Sequence, residues 1–364
     1  MSINILSLNN WLDLFDLNII SEQIFLNTYK VKSSKITNLN DKNLSEGNKK
    51  ILYTNIIINK KKYLTNFYNK SLKYNNKLNF NDITDFTLKN NKYSNYKNLI
   101  RNIYYKDILL YTKTDIKNLR PFLEVLFDLF NNKIIDYKLL TPSSLDLLKK
   151  NKFSNVLSGF YFRSSILNPV ITYSLAEKYM KGSKVFTPTL GWSSYMYGFF
   201  SNNNITEYVG TDVIKHVCNN TKKLSKKLFP NKIIDIYESP SEKLLNNKTF
   251  MNKYTNYFDI IFFSPPYFKL ELYRGKNQST ELYKNYDDWL SKYWEVTIQL
   301  CRKVLKKNGN MAYIIGDYDK NYIVKDMNNI TKKYFTYKKK KKLSNKNIDF
   351  TKHKDTNEII YFFK

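Results

Sequence analysis

The stretch Asp259-Ile260-Ile261-Phe262-Phe263-Ser264-Pro265-Pro266-Tyr267 decides the fold of this chain. Up to Phe263 it is a short, mostly apolar run of the kind that lies buried in the centre of a sheet. Two consecutive prolines then end the strand, because neither has an amide hydrogen and each restricts the residue before it. The sequence therefore predicts a central strand that stops abruptly at a stiff loop.

Short runs of this kind alternate with helical stretches along residues 151–364, which indicates an α/β domain with a mainly parallel sheet. The predicted strands are 184–187, 207–210, 232–237, 258–263, 310–315, 334–339 and 358–363. The predicted helices are 169–181, 194–200, 213–228 and 286–305, the last closed by Lys306, Lys307 and Gly309. We expect a sheet of seven strands whose last two form an antiparallel hairpin.

Residues 1–150 differ in character and are rich in Asn and Lys near their start. Apolar residues fall at helical spacing later in this region, at Leu109, Leu110, Leu123, Val125, Leu126, Leu129 and Phe130. Thr141-Pro142-Ser143-Ser144 is a capped helix start. We expect an accessory region over 1–150, mostly helical, and assign target recognition to it by elimination.

The charge balance favours a polyanionic partner. Lys and Arg total 60 against 31 Asp and Glu, a net charge of +29, and nucleic acid is the first candidate because its phosphates are neutralised by such residues. The alternative is residue usage typical of an AT-rich genome. Lysine runs at 60–62 and 338–342 are typical of solvated loops or targeting signals, with contact to phosphates as the alternative.

Metal and membrane signals are weak in this sequence. Cys218 and Cys301 have no close-spaced partners, and the histidines are His216 and His353, so we expect no metal site. Apolar runs stay shorter than the roughly 18 residues of a membrane span. The first residues lack the basic-then-apolar pattern of a signal peptide, and we expect an intracellular protein without membrane contact.

The segment Ser264-Pro265-Pro266-Tyr267 resembles motif IV of the DNA amino-methyltransferases, where Asp, Asn or Ser precedes Pro-Pro-Tyr or Pro-Pro-Phe after an apolar strand. The resemblance covers roughly residues 155–364. It implies a Rossmann-like class I methyltransferase sheet, S-adenosylmethionine as cofactor and a base flipped out of nucleic acid. The alternative is a chance Pro-Pro turn.

The loop suits the chemistry that this resemblance implies. An exocyclic base amine is a poor nucleophile, because its lone pair is delocalised into the ring. A Ser264 oxygen and the Pro265 carbonyl can accept the two amine hydrogens while the lone pair points at the methyl group. Pro266 stiffens the loop, and the Tyr267 ring can stack on the extruded base.

The turn after strand 184–187 resembles motif I, which positions the cofactor. Pro188 and Gly191 match that motif, Thr187 stands where an acid is usual, and Ser193 and Ser194 stand where further glycines are usual. Asp212, about 20 residues beyond Gly191, is placed to bond the ribose hydroxyls, with a helix cap before Val213 as the alternative.

Three further positions follow from the same resemblance. Glu238 and Ser239 follow the third strand of the sheet and are placed to meet the adenine, with a helix cap as the alternative. Arg163 lies in a segment that resembles motif X, which contacts the methionine portion. Pro169 then begins a helix.

The segment after motif IV, residues 277–283 with Tyr286, Trp289 and Trp294, resembles a loop that closes over the base. The alternative is a polar loop followed by a helix that packs its aromatic residues. The resemblance implies a DNA methyltransferase acting on N4 of cytosine or N6 of adenine. The alternatives are an RNA base methyltransferase and a catalytically silent methyltransferase fold that binds nucleic acid or serves as a scaffold.

Overall fold

The computed structural model describes residues 30–32, 45–54, 86–104, 134–136, 141–150, 166–269, 275–317, 323–344 and 358–364, with a few isolated positions between them. The chain divides into two compact units. The accessory unit consists of Met1–Asn75, Asn102–Ser164 and Glu271–Arg274, and the sheet unit of Asn76–Arg101, Ser165–Leu270 and Gly275–Lys364. The predicted division into domains at residue 150 stays a prediction.

The described elements before residue 151 are β1 (Lys30–Lys32), α1 (Glu46–Leu52), α2 (Ser94–Ile103), β2 (Ile134–Asp136) and α3 (Pro142–Lys149). In the accessory unit, β1 pairs in parallel with β2, and α1 packs against α3. The predicted cap of α3 is confirmed, since the Thr141 hydroxyl accepts a hydrogen bond from the Ser144 amide at 3.3 Å. The predicted helical positions 109–130 lie outside the described residues.

The sheet unit is built on one large sheet. Its described strands are β3 (Lys184–Thr187), β4 (Glu207–Asp212), β5 (Ile233–Glu238), β6 (Phe258–Phe263), β7 (Leu305–Ile315), β8 (Tyr337–Lys342) and β9 (Ile359–Phe363). They lie in the order β5-β4-β3-β6-β7-β9-β8, with β3 to β7 parallel and β9 antiparallel to both of its neighbours. The predicted α/β fold, with seven strands in a Rossmann-like sheet, is confirmed.

Helices cover both faces of this sheet. They are α4 (Pro169–Lys178), α5 (Ser194–Ser201), α6 (Lys215–Leu228), α7 (Lys248–Tyr254), α8 (Ser279–Leu282), α9 (Tyr286–Asp288), α10 (Glu295–Val304) and α11 (Ile323–Lys332). Successive side chains of a strand point to opposite faces. Phe262 therefore packs against Tyr195 of α5, while Phe263 packs against Trp294 on the other face. Both rings are buried, as the apolar run predicts.

Several predicted boundaries differ from the structure, most clearly at the start of β8 and at the end of the helix before β7. β8 spans Tyr337–Lys342 rather than 334–339, because its lysines carry no apolar pattern and its ladder with β9 sets its limits. The prediction that Lys306, Lys307 and Gly309 close a helix is wrong. The helix ends at Val304, and these residues belong to β7, where the Lys306 ammonium donates to the Asp259 carboxylate at 2.6 Å.

Within the sheet unit, the segment before α2 contacts Asn168, the residue before α4. The Asn168 side-chain amide donates to the Lys92 carbonyl at 2.7 Å, and its backbone amide donates to the Asn90 side chain at 2.7 Å. Lys89 also forms a parallel bridge with Ser344, just beyond β8. The bridge places Lys89 at the end of β8, the edge strand of the sheet, and Lys92 lies beside Asn168.

Candidate functional site

The candidate site lies at the carboxyl edge of the sheet. β3 pairs with β4 on one side and β6 on the other, and Asp212 at the end of β4 is opposite Glu238 at the end of β5. Because these strands are parallel, the turns that follow them all leave from the same edge. Open parallel sheets bind ligands at this edge, where their connections diverge.

The turn after β3 is held in an unusual backbone conformation. Gly191, Trp192 and Ser193 are left-handed, with φ of 51°, 57° and 64°. A Cβ on Gly191 would come within 2.2 Å of the Tyr195 ring, so this position requires glycine. Ser193 has the conformation for which glycine is usual in motif I, whereas Ser194 begins α5 with φ of −65°.

This turn contacts the Ser-Pro-Pro-Tyr loop directly. The Thr189 hydroxyl donates to the Ser264 carbonyl at 3.2 Å. The Ser264 amide donates to the Tyr195 hydroxyl at 3.3 Å. The two predicted motifs are therefore joined at the carboxyl edge by two hydrogen bonds, although Thr189 and Ser264 are 75 residues apart in sequence.

The Ser264 hydroxyl is oriented by the neighbouring strand. It donates to the Ile314 carbonyl of β7 at 3.4 Å. A hydroxyl that donates its hydrogen in this way presents its oxygen lone pairs as acceptors. The structure therefore gives Ser264 the acceptor character that holding an amine requires. The adjacent Pro265 is buried and Pro266 is partly buried.

Tyr267, the last residue of the loop, contacts the segment just before β9. Its side chain is 9% exposed, and its hydroxyl donates to the Glu358 carboxylate, just before β9, at 3.4 Å. The next residue, Phe268, packs against Tyr286 and Trp289 with ring centroids 5.5 and 5.8 Å apart. The loop is thus fixed at both ends. Stacking of Tyr267 on a base stays a prediction.

Asp212 lies against the turn after β3. Its carboxylate accepts from the Leu190 amide at 3.3 Å and from the Ile214 amide at 3.0 Å. Burial raises the pKa of Asp212 to about 6, although these amide hydrogen bonds oppose the shift. The carboxylate is therefore adjacent to the turn that resembles motif I, as a residue that binds the ribose would be.

The remaining predicted cofactor residues differ in their surroundings. The Thr187 hydroxyl is buried and hydrogen-bonded to the Tyr208 hydroxyl within the sheet. Ser239 donates from its amide to the Asp212 carbonyl at 3.0 Å, which places it beside that residue, and Glu238 is exposed at the same edge. Pro188 is buried in the turn. Arg163 lies outside the described residues.

Five buried polar atoms make no hydrogen bond within the described part of the chain. Three of them are the Ser194 hydroxyl, Glu242 Oε1 and the Tyr293 hydroxyl, and the other two are Arg101 Nε and the Ser225 hydroxyl. Ser194 begins the helix after the first turn, and Glu242 follows β5. Burial raises the pKa of Tyr293 well above its ordinary value, and the nearby carboxylates of Glu242 and Asp212 add to the shift. The Tyr293 hydroxyl is therefore within electrostatic range of both carboxylates.

The second oxygen of Glu242 has a partner. Tyr283, which follows α8, hydrogen-bonds to the Glu242 carboxylate. Burial and this carboxylate raise the pKa of Tyr283 to about 12. The segment after motif IV is thereby connected to the turn after β5, on the cofactor side of the predicted site.

Sequence reasoning missed Tyr195, Glu242 and Tyr293. Tyr195 carries a weak signal, since it lies one helical turn after Gly191. Glu242 and Tyr293 carry none, because their burial depends on elements distant in sequence. Among the described residues, no group of His, Cys, Asp and Glu could hold a metal ion, and no helix is long and apolar enough to cross a membrane.

The aromatic residues after motif IV belong to the core. Trp289 and Trp294 are fully buried, and their indole nitrogens donate to the Ser279 hydroxyl at 3.1 Å and the Met327 carbonyl at 3.0 Å. The alternative in which a helix packs its aromatics accounts for these two residues. Closure of segment 277–283 over a base stays a prediction.

No model of a protein family matches the sequence, and no curated protein matches it. Solved structures do match. A SAM-dependent methyltransferase from Agrobacterium tumefaciens is 10% identical over 55% of this chain and 63% of its own, with a TM-score of 0.37. A TehB-like SAM-dependent methyltransferase from Corynebacterium glutamicum is 12% identical over 61% of this chain and 98% of its own, with a TM-score of 0.33.

A precorrin-6y C5,15-methyltransferase from Geobacter metallireducens is 10% identical over 54% of this chain and 85% of its own, with a TM-score of 0.35. All three scores lie below 0.5. The fold assignment therefore rests on the strand order and on the antiparallel β9 rather than on these likenesses.

Proposed function

We propose that this chain is an S-adenosylmethionine-dependent methyltransferase that methylates the exocyclic amine of a nucleic-acid base, with DNA as the first substrate to test. The observation that carries the proposal is the contact between the two loops, where Thr189 donates to the Ser264 carbonyl. It joins the turn that resembles motif I to the loop that resembles motif IV at the ligand-binding edge of the sheet.

The residues at this edge fit an adenosine-containing cofactor. The Asp212 carboxylate can accept hydrogen bonds from ribose hydroxyls, and the unpartnered atoms of Ser194, Glu242 and Tyr293 supply further polar contacts. A buried polar atom without a partner costs about 1–3 kcal/mol, and such atoms are uncommon unless a ligand pairs with them. When bound, S-adenosylmethionine supplies an activated methyl group.

The loop residues then perform the positioning. The oxygens of Ser264 and the carbonyl of Pro265 accept the two hydrogens of the base amine, which directs the nitrogen lone pair at the methyl carbon. As the nitrogen–carbon bond forms, the sulfur–methyl bond would break, the demethylated cofactor would leave as a neutral thioether, and the amine would lose one proton to solvent past these acceptors. Pro266 keeps the loop stiff while this occurs. The loop has no Pro-Cys pair, so the route needs no cysteine adduct.

Two observations favour a second candidate, a silent methyltransferase fold that binds nucleic acid. The Tyr195 ring packs over Gly191 and its hydroxyl accepts from the Ser264 amide, so this side chain lies between the two loops. The hydroxyl of Thr187, which replaces the usual acid, is paired within the sheet. An RNA substrate would use the same loop as DNA.

Transfer of labelled methyl groups tests the proposal. Purified chain is incubated with methyl-labelled S-adenosylmethionine and with DNA or RNA oligonucleotides, and label in the nucleic acid is counted. We expect transfer to one of the two, and a fall of roughly 100-fold or more for Tyr267→Ala and Pro266→Ala. Tyr267→Phe keeps the ring and serves as the matched control. Equal transfer by the alanine variants would remove the loop from the mechanism.

A further inference from the structure

β8 is a strand of lysines at the open edge of the sheet. Its six residues are all exposed, and residues 338–342 are lysines. In the described sheet it pairs with β9 alone, so alternate backbone amides point away from the sheet. The edge therefore presents ammonium groups together with amide donors, which is a surface suited to anions.

We propose that β8 binds the sugar-phosphate backbone of a nucleic-acid strand and leads it toward the 264–267 loop. A strand rises about 3.4 Å for each residue and its successive side chains point to opposite faces, so the five lysines span about 14 Å. One strand of a duplex carries a phosphate about every 3.4 Å along its axis, so the row of lysines is long enough to lie along several phosphates. This inference rests on the proposed function for the site to which β8 leads.

β8 ends at the same edge of the sheet as the 264–267 loop. β8 is antiparallel to β9, and β9 is antiparallel to β7, so β8 runs parallel to β6 and ends at the carboxyl edge. Just beyond its end, the Leu343 amide donates to the Glu358 carbonyl at 3.0 Å. The Glu358 carboxylate accepts from Tyr267 of the loop at 3.4 Å. Three strand spacings, about 14 Å, separate β8 from β6.

Lysines extend from both faces of this edge. The Lys339 ammonium lies 5.3 Å from the Tyr179 ring and 5.4 Å from the Phe362 ring on one face. Lys340 is opposite Tyr361, whose ring packs on the other face. Because lysine stems are long and flexible, ammonium groups from both faces can reach a phosphate backbone that follows the edge. Lys89, bridged to Ser344, adds a further cation where the strand ends.

The same lysines could serve only to block pairing of this edge with another strand, a role that lysine has in many sheets. The two roles differ in what they predict. Edge protection requires that removal of the charges causes self-association without a specific effect on nucleic acid. Phosphate binding requires that removal of each charge lowers the salt dependence of nucleic-acid affinity.

The test measures binding of labelled single-stranded and duplex DNA to the full-length chain by fluorescence anisotropy, between about 50 and 200 mM salt and without cofactor. The variant is K338Q/K340Q/K342Q. Its matched control is K222Q/K223Q/K226Q, three exposed lysines of α6, which packs on β4 and β5 away from β8. A third variant, K338R/K340R/K342R, keeps the charge.

We expect the strand variant, K338Q/K340Q/K342Q, to bind DNA at least roughly tenfold more weakly than the unaltered chain at about 100 mM salt. The slope of log affinity against log salt should fall by about 2 to 3, or about 0.7–0.9 for each phosphate that the variant no longer neutralises. The control and the arginine variant should keep the slope of the unaltered chain. Because no cofactor is present, failure of cofactor binding contradicts the proposed function and leaves this result standing.

Three results would overturn the inference. The first is a strand variant whose slope equals that of the control. The second is self-association of the strand variant in size-exclusion chromatography with an unchanged slope, which assigns the lysines to edge protection. The third is binding of the unaltered chain to phosphatidylserine vesicles without binding to DNA, which assigns the strand to a membrane surface.

Discussion

At the scale of residues, three successive positions of the turn after β3 are left-handed although only the first, Gly191, is glycine. A left-handed backbone costs an L-residue about 1–2 kcal/mol. Ser193 adopts that conformation with φ of 64°, and its hydroxyl is hydrogen-bonded to the Thr221 hydroxyl. The structure therefore retains the shape of the turn at a cost that the hydrogen bond offsets in part.

Glycine and alanine at positions 193 and 194 should have opposite effects on stability. We expect Ser193→Gly to unfold with a free energy about 1 kcal/mol above that of Ser193→Ala, because both lose the hydroxyl and glycine alone relieves the strain. Ser194 begins a helix with φ of −65°. Ser194→Ala should therefore have a higher free energy of unfolding than Ser194→Gly. Urea unfolding measures all four variants. An alanine variant at 193 as stable as the glycine variant would contradict the strain.

The raised pKa of Asp212 predicts that cofactor affinity depends on pH. Burial raises its pKa to about 6, so the carboxyl becomes protonated as the pH falls below that value and loses acceptor capacity for ribose hydroxyls. Affinity for S-adenosylmethionine should therefore fall by roughly tenfold between about pH 7 and pH 5. Asp212→Asn should bind weakly and without this dependence. An affinity of the unaltered chain that is flat over this range would contradict the assignment.

At the scale of elements, Asp259 joins the starts of three strands. Its carboxylate accepts from the amides of Ser183 and Lys184 at 3.0 Å and from the Lys306 ammonium. Burial alone would raise the pKa of Asp259, but these hydrogen bonds outweigh it and hold the pKa below its ordinary value. The resulting stability is present above about pH 4 and is lost as the pH falls through the lowered pKa.

Asp259→Asn should accordingly destabilise the sheet unit. We expect a loss of about 2–3 kcal/mol at neutral pH, since hydrogen bonds to a charged group contribute about 1.5–3 kcal/mol. Asp288→Asn, at an exposed carboxylate that is paired with Lys292 on the surface, is the matched control and should change stability little. Equal midpoints of thermal unfolding for the two variants would show that Asp259 does not join the strands.

The sequence predicts those elements whose signal is local. β6 and its loop are predicted well because an apolar run and two prolines act on adjacent residues. The limits of β8 are not predicted from the sequence. Its pairing with β9 defines them, and a run of lysines carries no signal for where the strand begins or ends. Glu242 and Tyr293 are missed for the same reason, since their burial is produced by packing between the segment after β5 and the segment before α10.

At the scale of the molecule, the strand order brings the ends of the five parallel strands β3 to β7 to one edge, and the proposed function requires a cofactor to bind there. Calorimetric titration of S-adenosylmethionine into the purified chain at mildly alkaline pH tests this most directly. We predict saturable binding of one molecule for each chain, weakened roughly tenfold or more in Asp212→Asn and unchanged in the α6 variant K222Q/K223Q/K226Q. Absence of binding heat at millimolar cofactor would contradict the account.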